Sequence, residues 1–319
     1  MNPKVSIIIP NYNHATFLVQ RLESVFNQTF QDFEVILLDD KSTDHSTSIL
    51  KQYINYSKVS HLIINKKNSG SPFKQWKKGI ELAKGEYIWI AESDDYCELT
   101  FLEKLVNCID QDPAIGIIYC QTNDVDEDGV CLNHRINYTN RFQPNIWEMN
   151  FVKDGKEFVE SYFSFFNVIP NASAVIFKRE LVKDSIFTKS LTEMKMCGDW
   201  YFWIQIALKT KVCFLSETLN YFREHKSVSR NHNDIQKKKL RLIEEKIVRS
   251  FLHSMKIVNL KSEHLLYLKW FDLHGYRAIY TNSFYGVKLK NISFLAFIKL
   301  YIENKFTLRK LIRKFATPL

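Results

Sequence analysis

Apolar positions in the first 120 residues follow two alternating rhythms. Val5 to Ile9, Phe33 to Leu38, Tyr87 to Ala91 and Ile115 to Tyr119 are nearly unbroken β-branched, aromatic or aliphatic runs. Such runs predict strands buried on both faces of a parallel sheet. Val59 to Ile64 reads as a further strand. Between them, Phe17, Leu18, Leu22, Val25 and Phe26 recur at helical spacing, as do Ile49, Leu50 and Tyr53, then Leu102, Leu105, Val106 and Ile109. Each set lays one apolar stripe along a helix. Ser42, Thr43 and Asp44 are candidate N-caps for the second helix. Phe73 to Ala83 reads as another helix, with Gly85 expected at its C′ position. Strand, loop and helix repeating with short connections predict a doubly wound α/β sheet.

The rhythm then loosens. Thr122 to about Asn150 has no clear period and reads as a functional or β-rich excursion. Lys156 to Phe166 looks helical, Ser173 to Phe177 a strand, Gly198 to Leu208 a helix and Val212 to Leu215 a last short strand. After about Asn231 helical spacing dominates, with basic residues opposite the apolar ones. A boundary near residue 230 therefore separates an α/β domain (1–230) from a helical, basic C-terminal extension (231–319).

Composition narrows the class. An apolar share of 45% and a charged share of 25% are those of a folded globular chain. The net charge of +9 is concentrated late, in Lys237-Lys238-Lys239, Arg241, Arg309-Lys310 and Arg313-Lys314. A basic tail implies an anionic partner. It is not interleaved with aromatics as in a nucleic-acid module, so a nucleic-acid partner is not expected. Six scattered cysteines with no C-x-x-C pair fit a reduced, intracellular protein. With no leader before the first strand and no apolar run of eighteen residues, the expectation is a cytoplasmic protein, soluble or peripheral on the membrane.

The candidate chemistry lies where strands end. Tyr87 to Ala91 stops abruptly at Glu92-Ser93-Asp94-Asp95, Phe33 to Leu38 at Asp39-Asp40, and Val5 to Ile9 at Pro10-Asn11-Tyr12-Asn13. Paired carboxylates at the end of a buried strand suit a divalent cation, and that edge of an open α/β sheet is where ligands bind. The bland alternative is a solvated turn capping the next helix.

In that order, VSIIIPNYNHATFLVQRLESVFNQTF, FEVILLDDKSTD and GEYIWIAESDDY resemble family-two glycosyltransferases of the GT-A fold, the bacterial surface-polysaccharide type. The resemblance runs through about the first 230 residues. It implies a Rossmann-like, doubly wound mixed sheet and sugar transfer from a nucleotide-diphosphate sugar to a glycan or lipid-linked glycan. It also implies a cofactor, Mn2+ or Mg2+. Asp95 matches the family's metal ligand and Asp94 the residue near ribose or metal, while Glu92 stands where the family's first Asp is usual, which leaves its role open. Asp40 matches the acceptor for a uracil edge, implying a UDP-sugar, with Pro10, Asn11 and Tyr12 packed against the base. Asn68 and Gly70 match a loop beside the nucleotide. The family's Arg-Asn pair before the position of Gly79 is replaced by Trp76-Lys77, which leaves Lys74 or Lys77 as the candidate for a phosphate contact.

By the same resemblance, Asp199 in GDWYFWIQIA is the candidate general base of an inverting displacement; its bland reading is an N-cap. His225, in YFREHKSVS, matches an element that completes the metal shell or meets the diphosphate, as Arg223 could. His14, His61 and His232 have no supporting context. For the C-terminal segment two readings stand, an amphipathic contact with an anionic membrane surface and a helical cap. Two other functions compete: a non-catalytic nucleotide-sugar or glycan-binding relative, and a nucleotidyltransferase, which would want a glycine-rich phosphate loop that PNYN lacks.

Overall fold

The computed structural model describes residues 2–225 and 234–306. The basic pairs at 309–310 and 313–314, and His232, lie outside them. The described residues form two compact units: one of 2–163, 167–194 and 198–225, the other of 164–166, 195–197 and 234–306.

In the first unit the chain runs β1 (Val5–Asn11), α1 (Ala15–Phe26), β2 (Phe33–Asp39), α2 (Ser46–Gln52), β3 (Val59–Ile64), α3 (Pro72–Leu82), β4 (Tyr87–Ile90), β5 (Tyr96–Cys97), α4 (Phe101–Gln111) and β6 (Ile115–Val125). Then follow β7 (Cys131–His134), α5 (Ile136–Thr139), β8 (Phe151–Asp154), α6 (Gly155–Phe158), β9 (Val175–Lys178), α7 (Lys189–Glu193), α8 (Gly198–Ala207) and β10 (Lys211–Arg223). The sheet is mixed, in the order β3-β2-β1-β4-β9-β6-β10-β5, with β7 on β6 and β8 on β10. β3, β2, β1 and β4 are mutually parallel, and β9 runs antiparallel between β4 and β6. Every residue of β1 and β2 is buried, as their continuous apolar runs require.

Register decides what the sheet presents. Asn11 pairs with Asp39, and Ile8 with Ile90. The strand-end segments Asn11–His14, Asp39–Asp44 and Glu92–Asp95 therefore emerge along one edge. Antiparallel β9 brings its preceding residues, Asn171 to Ser173, to that edge, and β10, parallel to β6, brings Arg223 there.

Several sequence expectations change. Gly85 is not a left-handed C′ residue, since α3 ends at Ala83 in extended conformation. Glycine is needed there for close approach: a Cβ would stand 2.5 Å from the Ser6 backbone nitrogen. Ser42 and Thr43 do not cap α2; Asp44 does the capping work, accepting from Ser46 N at 2.9 Å. β10 is thirteen residues long rather than four, and β6 continues to Val125. The predicted helix over 156–166 is a single turn followed by a π turn at Val159–Phe163. All six cysteines are free thiols.

The second unit is built on α9 (Ile235–Ser254), α10 (Leu260–Asp272) and α11 (Phe294–Phe306). Its core gathers Leu266, Trp270, Phe271, Phe284 and Phe297. Within it, Glu244 accepts from the backbone amides of Lys195, Met196 and Cys197. No helix among the described residues is long and apolar enough to cross a membrane.

Candidate active site

The loop after β4 puts three carboxylates close together at the sheet edge, and the fold treats each differently. Asp94 Oδ2 lies 3.0 Å from His225 Nε2. Ligand atoms of His14, Asp94 and His225 all lie within 4.8 Å of one another. Burial pushes the Asp94 carboxyl up, but the His225 hydrogen bond and the two imidazoles outweigh it and hold the group below its ordinary value. Burial first, then the Asp94 charge, raises Glu92 to about 8 despite the indole of Trp76, whose Nε1 donates to Glu92 Oε1 at 2.8 Å. The same two causes push Asp95 up. A cation is the natural relief for carboxylates crowded in this way. The donor set of two imidazoles and a carboxylate fits a divalent ion.

His14 is the residue that the sequence reading set aside. It precedes α1 without capping it by its side chain. Its Nδ1 instead meets Ser93 Oγ at 2.9 Å, and its ring stands edge-on to His225 with centroids 5.3 Å apart. The only signal in the sequence was position, three residues past the end of β1 on the carboxylate-bearing edge. His61, by contrast, meets its neighbour Ser60 at 3.1 Å.

Asp95, matched above to the metal ligand, is tied into the fold by its hydrogen bonds. It is 2% exposed. Oδ2 accepts from Asn171 Nδ2 at 2.7 Å and Ser173 Oγ at 2.6 Å, and Oδ1 from Arg223 N at 3.0 Å. Arg223, matched above to a possible diphosphate contact, is likewise tied into the fold. Its guanidinium donates to the carbonyls of Asp94, Asp126 and Glu127 and to Gln20 Oε1, and lies over the Phe17 ring at 4.8 Å. Asp95 and Arg223 thus fix the backbone that aims Asp94.

On the other side of the edge, Asn11 Nδ2 donates to Asp39 Oδ2 and Ser42 Oγ, so Asp39 ties two strand ends together. Pro10 is buried within β1, while Tyr12 is 45% exposed at the loop tip. Asp40 is buried and gathers the loop after β3: Oδ1 accepts from Asn65 Nδ2, Ser69 N and Gln75 Nε2, and Oδ2 from Ser69 Oγ. In that loop Asn68 Oδ1 accepts from Gly70 N at 2.6 Å, and Gly70 takes a φ of +69° that favours glycine. Lys74 donates to Ser69 O and Lys77 pairs with Glu81.

Asp199, half-buried in the first turn of α8, accepts from Asn167 Nδ2 at 2.9 Å and from Trp200 N at 2.7 Å. Gly198 before it is packed so closely on the Phe73 ring that a Cβ would lie 2.3 Å from a ring carbon. The structure therefore places Asp199 in a cluster with Asn167, and Asp94 in one with the histidines.

The model of "Glycosyl transferase family 2" matches residues 6–179. Over 95 residues the chain is 44% identical to a poly(ribitol-phosphate) beta-glucosyltransferase of Bacillus spizizenii, which is 29% of this chain and 15% of that protein. The matches span between 15% and 58% of the lengths of the first four curated relatives. Among solved structures, S. aureus TarS 1-349 in complex with UDP-GlcNAc superposes with a TM-score of 0.61 at 19% identity, covering 98% of this chain and 92% of that one. A mannosyltransferase of Pyrobaculum calidifontis in complex with GDP-Man and Mn2+ superposes with a TM-score of 0.56 at 17% identity, covering 99% and 83%. At these identities the likeness shows the fold.

Proposed function

The chain belongs to glycosyl transferase family 2, and from that premise we propose that it is an inverting glycosyltransferase. In this reading it moves a sugar from a nucleotide-diphosphate sugar, a UDP-sugar, to a hydroxyl of a glycan or lipid-linked glycan. The observation that carries the reading is the group of Asp94, His225 and His14 on the sheet edge where open α/β sheets bind ligands. Its residues belong to the first unit, which we take as the catalytic domain.

The roles follow from what each side chain is free to do. Tyr12, exposed at its loop tip, stacks on the base, a contact worth about 1–3 kcal/mol. Pro10 and Asn11 hold that loop. Asp40 orders the loop carrying Asn68 and Gly70 and meets the base edge through Oδ2, which accepts a single bond from the protein. Of the three residues matched to the metal, Asp94 and His225 would hold the divalent cation directly, with Asp95 behind them bonded to Asn171, Ser173 and the Arg223 amide. Mn2+ or Mg2+ held there would supply positive charge to the departing diphosphate. Asp199 takes the proton from the acceptor hydroxyl as that oxygen attacks the anomeric carbon. Glu92, held by Trp76, supports the loop from behind.

The support for UDP is the Asp40 match and a UDP-GlcNAc complex on this fold; a GDP-mannose complex on the same fold makes guanosine the competing outcome. A thermal-shift titration with UDP, GDP, CDP and TDP, each with and without Mn2+, tests it. Stabilisation by UDP with Mn2+ is expected. Stabilisation by another nucleotide would overturn the donor, and by none of them, the enzyme.

A peripheral membrane contact through the second unit is supported by one feature. α11 exposes Phe294, Leu295, Ile302 and Phe306, an apolar surface of the kind that lies against a bilayer, beside Lys299, which is paired with Glu303.

A further inference from the structure

His14 completes the metal shell, we infer, as a third protein ligand, so that two imidazoles and one carboxylate hold the ion. The inference rests on the cation reading of Asp94 and His225 and goes beyond it to a new ligand and to the class of ion preferred.

Geometry comes first. Asp94 Oδ2 and His225 Nε2 stand 3.0 Å apart. Two ligands about 2.1 Å from one ion and at right angles lie about 3 Å apart, and two opposite ligands about 4.2 Å. The three ligand atoms span at most 4.8 Å, so a small contraction of the side chains closes the group on one ion. An imidazole brought this near two possible ligands from another loop would need a reason to be there. A helix cap is excluded, because His14 caps nothing with its side chain.

Ser93 supplies the second argument. Its hydroxyl, on a residue 1% exposed, meets His14 Nδ1 at 2.9 Å. In the tautomer whose Nδ1–H donates to that hydroxyl, the Nε2 lone pair is available to a metal. Such outer partners are the usual means of orienting a ligating histidine. The ligand and its orienting group thus come from one turn of chain, Ser93-Asp94, and from the start of α1.

Donor chemistry then sets the ion. Mg2+ and Ca2+ favour oxygen and part reluctantly with water, whereas imidazole suits first-row transition ions, and two histidines with one carboxylate is a set they occupy with positions left open. The site should therefore hold Mn2+, Co2+ or Zn2+ in preference to Mg2+, leaving open positions for diphosphate oxygens.

Mn2+ binding to the full chain, read by electron paramagnetic resonance and calorimetry with Mg2+ as competitor, tests this. Wild type should bind Mn2+ at least about tenfold more tightly than Mg2+, with pulsed spectra showing two coupled nitrogens. His14→Gln should leave one nitrogen and lower Mn2+ affinity about 10–100-fold, with Ser93→Ala falling toward the lower end. Both variants are compared with wild type by melting temperature, and the nitrogen count on wild type stands even if neither folds. One coupled nitrogen in wild type, or Mg2+ competing evenly, overturns the third ligand. Mn2+ binding unchanged by His14→Gln but lost in Asp94→Ala overturns it too, while sparing the cation reading. No Mn2+ binding with or without UDP overturns both.

Discussion

Adjacent carboxylates at the end of β4 should fail in opposite ways when removed. Asp95→Ala takes away the acceptor of three hydrogen bonds, from Asn171 Nδ2, Ser173 Oγ and Arg223 N, all on residues 5% exposed or less. A buried donor left unpaired costs about 1–3 kcal/mol. Three of them would reach about 3–9 kcal/mol if nothing moved. Water entering the gap and relief of the Asp94–Asp95 repulsion bring the expectation to about 3–5 kcal/mol, a large part of a domain's usual 5–15 kcal/mol. Asp94→Ala removes one partner, that of His225 Nε2, about 1–3 kcal/mol, offset by relief of the Asp94 repulsion with Glu92 and Asp95. In chelator, thermal unfolding should thus place Asp95→Ala roughly 10 °C below wild type and Asp94→Ala within a few degrees of it. Added Mn2+ should raise the melting temperature of wild type and leave that of Asp94→Ala unmoved. If Asp95→Ala melts like wild type in chelator and loses the Mn2+ response, Asp95 is the ligand and the division of labour argued above is wrong.

Asp199→Asn should keep donor affinity nearly intact, by calorimetry, while transfer falls about 10²–10⁴-fold; undiminished transfer would assign the base elsewhere. Gly85→Ala forces a Cβ against the Ser6 backbone and should cost about 1–3 kcal/mol in urea unfolding, whereas a neutral result would mean that β1 and the α3–β4 turn can separate freely. Glu34 is pushed up by burial, but bonds from Ser6 Oγ and Lys84 N outweigh this and lower its carboxyl below 4.5. Its contribution is full above pH 4.5 and is lost as pH falls through the lower folded value, so wild type should lose stability in that window faster than Glu34→Gln; parallel curves would remove the linkage. Truncation after residue 231 should release the protein from anionic vesicles in a flotation assay if the second unit docks there, and retained binding would point to the first unit.

Much of the architecture was legible because its signals are local. Burial on both faces demands continuous apolar runs, so Val5–Ile9 and Phe33–Leu38 announced β1 and β2, and helical spacing announced α1 and α4. Local signals failed where burial was made compatible with polarity by distant partners. Gln121, Thr122, Asp124 and Asn220 are polar and buried within β6 and β10, and register shifts at Leu215/Thr218 and Thr218/Asn220 interrupt the alternation. No periodicity carries those strands past Tyr119 or Leu215. The site divides in the same manner. That carboxylates end β2 and β4 is written in the chain, because strand ends are found from composition alone. Which of two neighbouring aspartates is bonded into the fold and which meets the histidines depends on where Asn171, Ser173 and the Arg223 amide arrive, more than seventy-five residues later. His14 joins Asp94 because β1 and β4 are hydrogen-bonded neighbours in a parallel sheet, a pairing that sequence order does not state. The sequence by itself determined the elements and the kind of chemistry; the tertiary structure chose the residues, since a hydrogen bond between strands can reverse the role of a side chain without changing its identity.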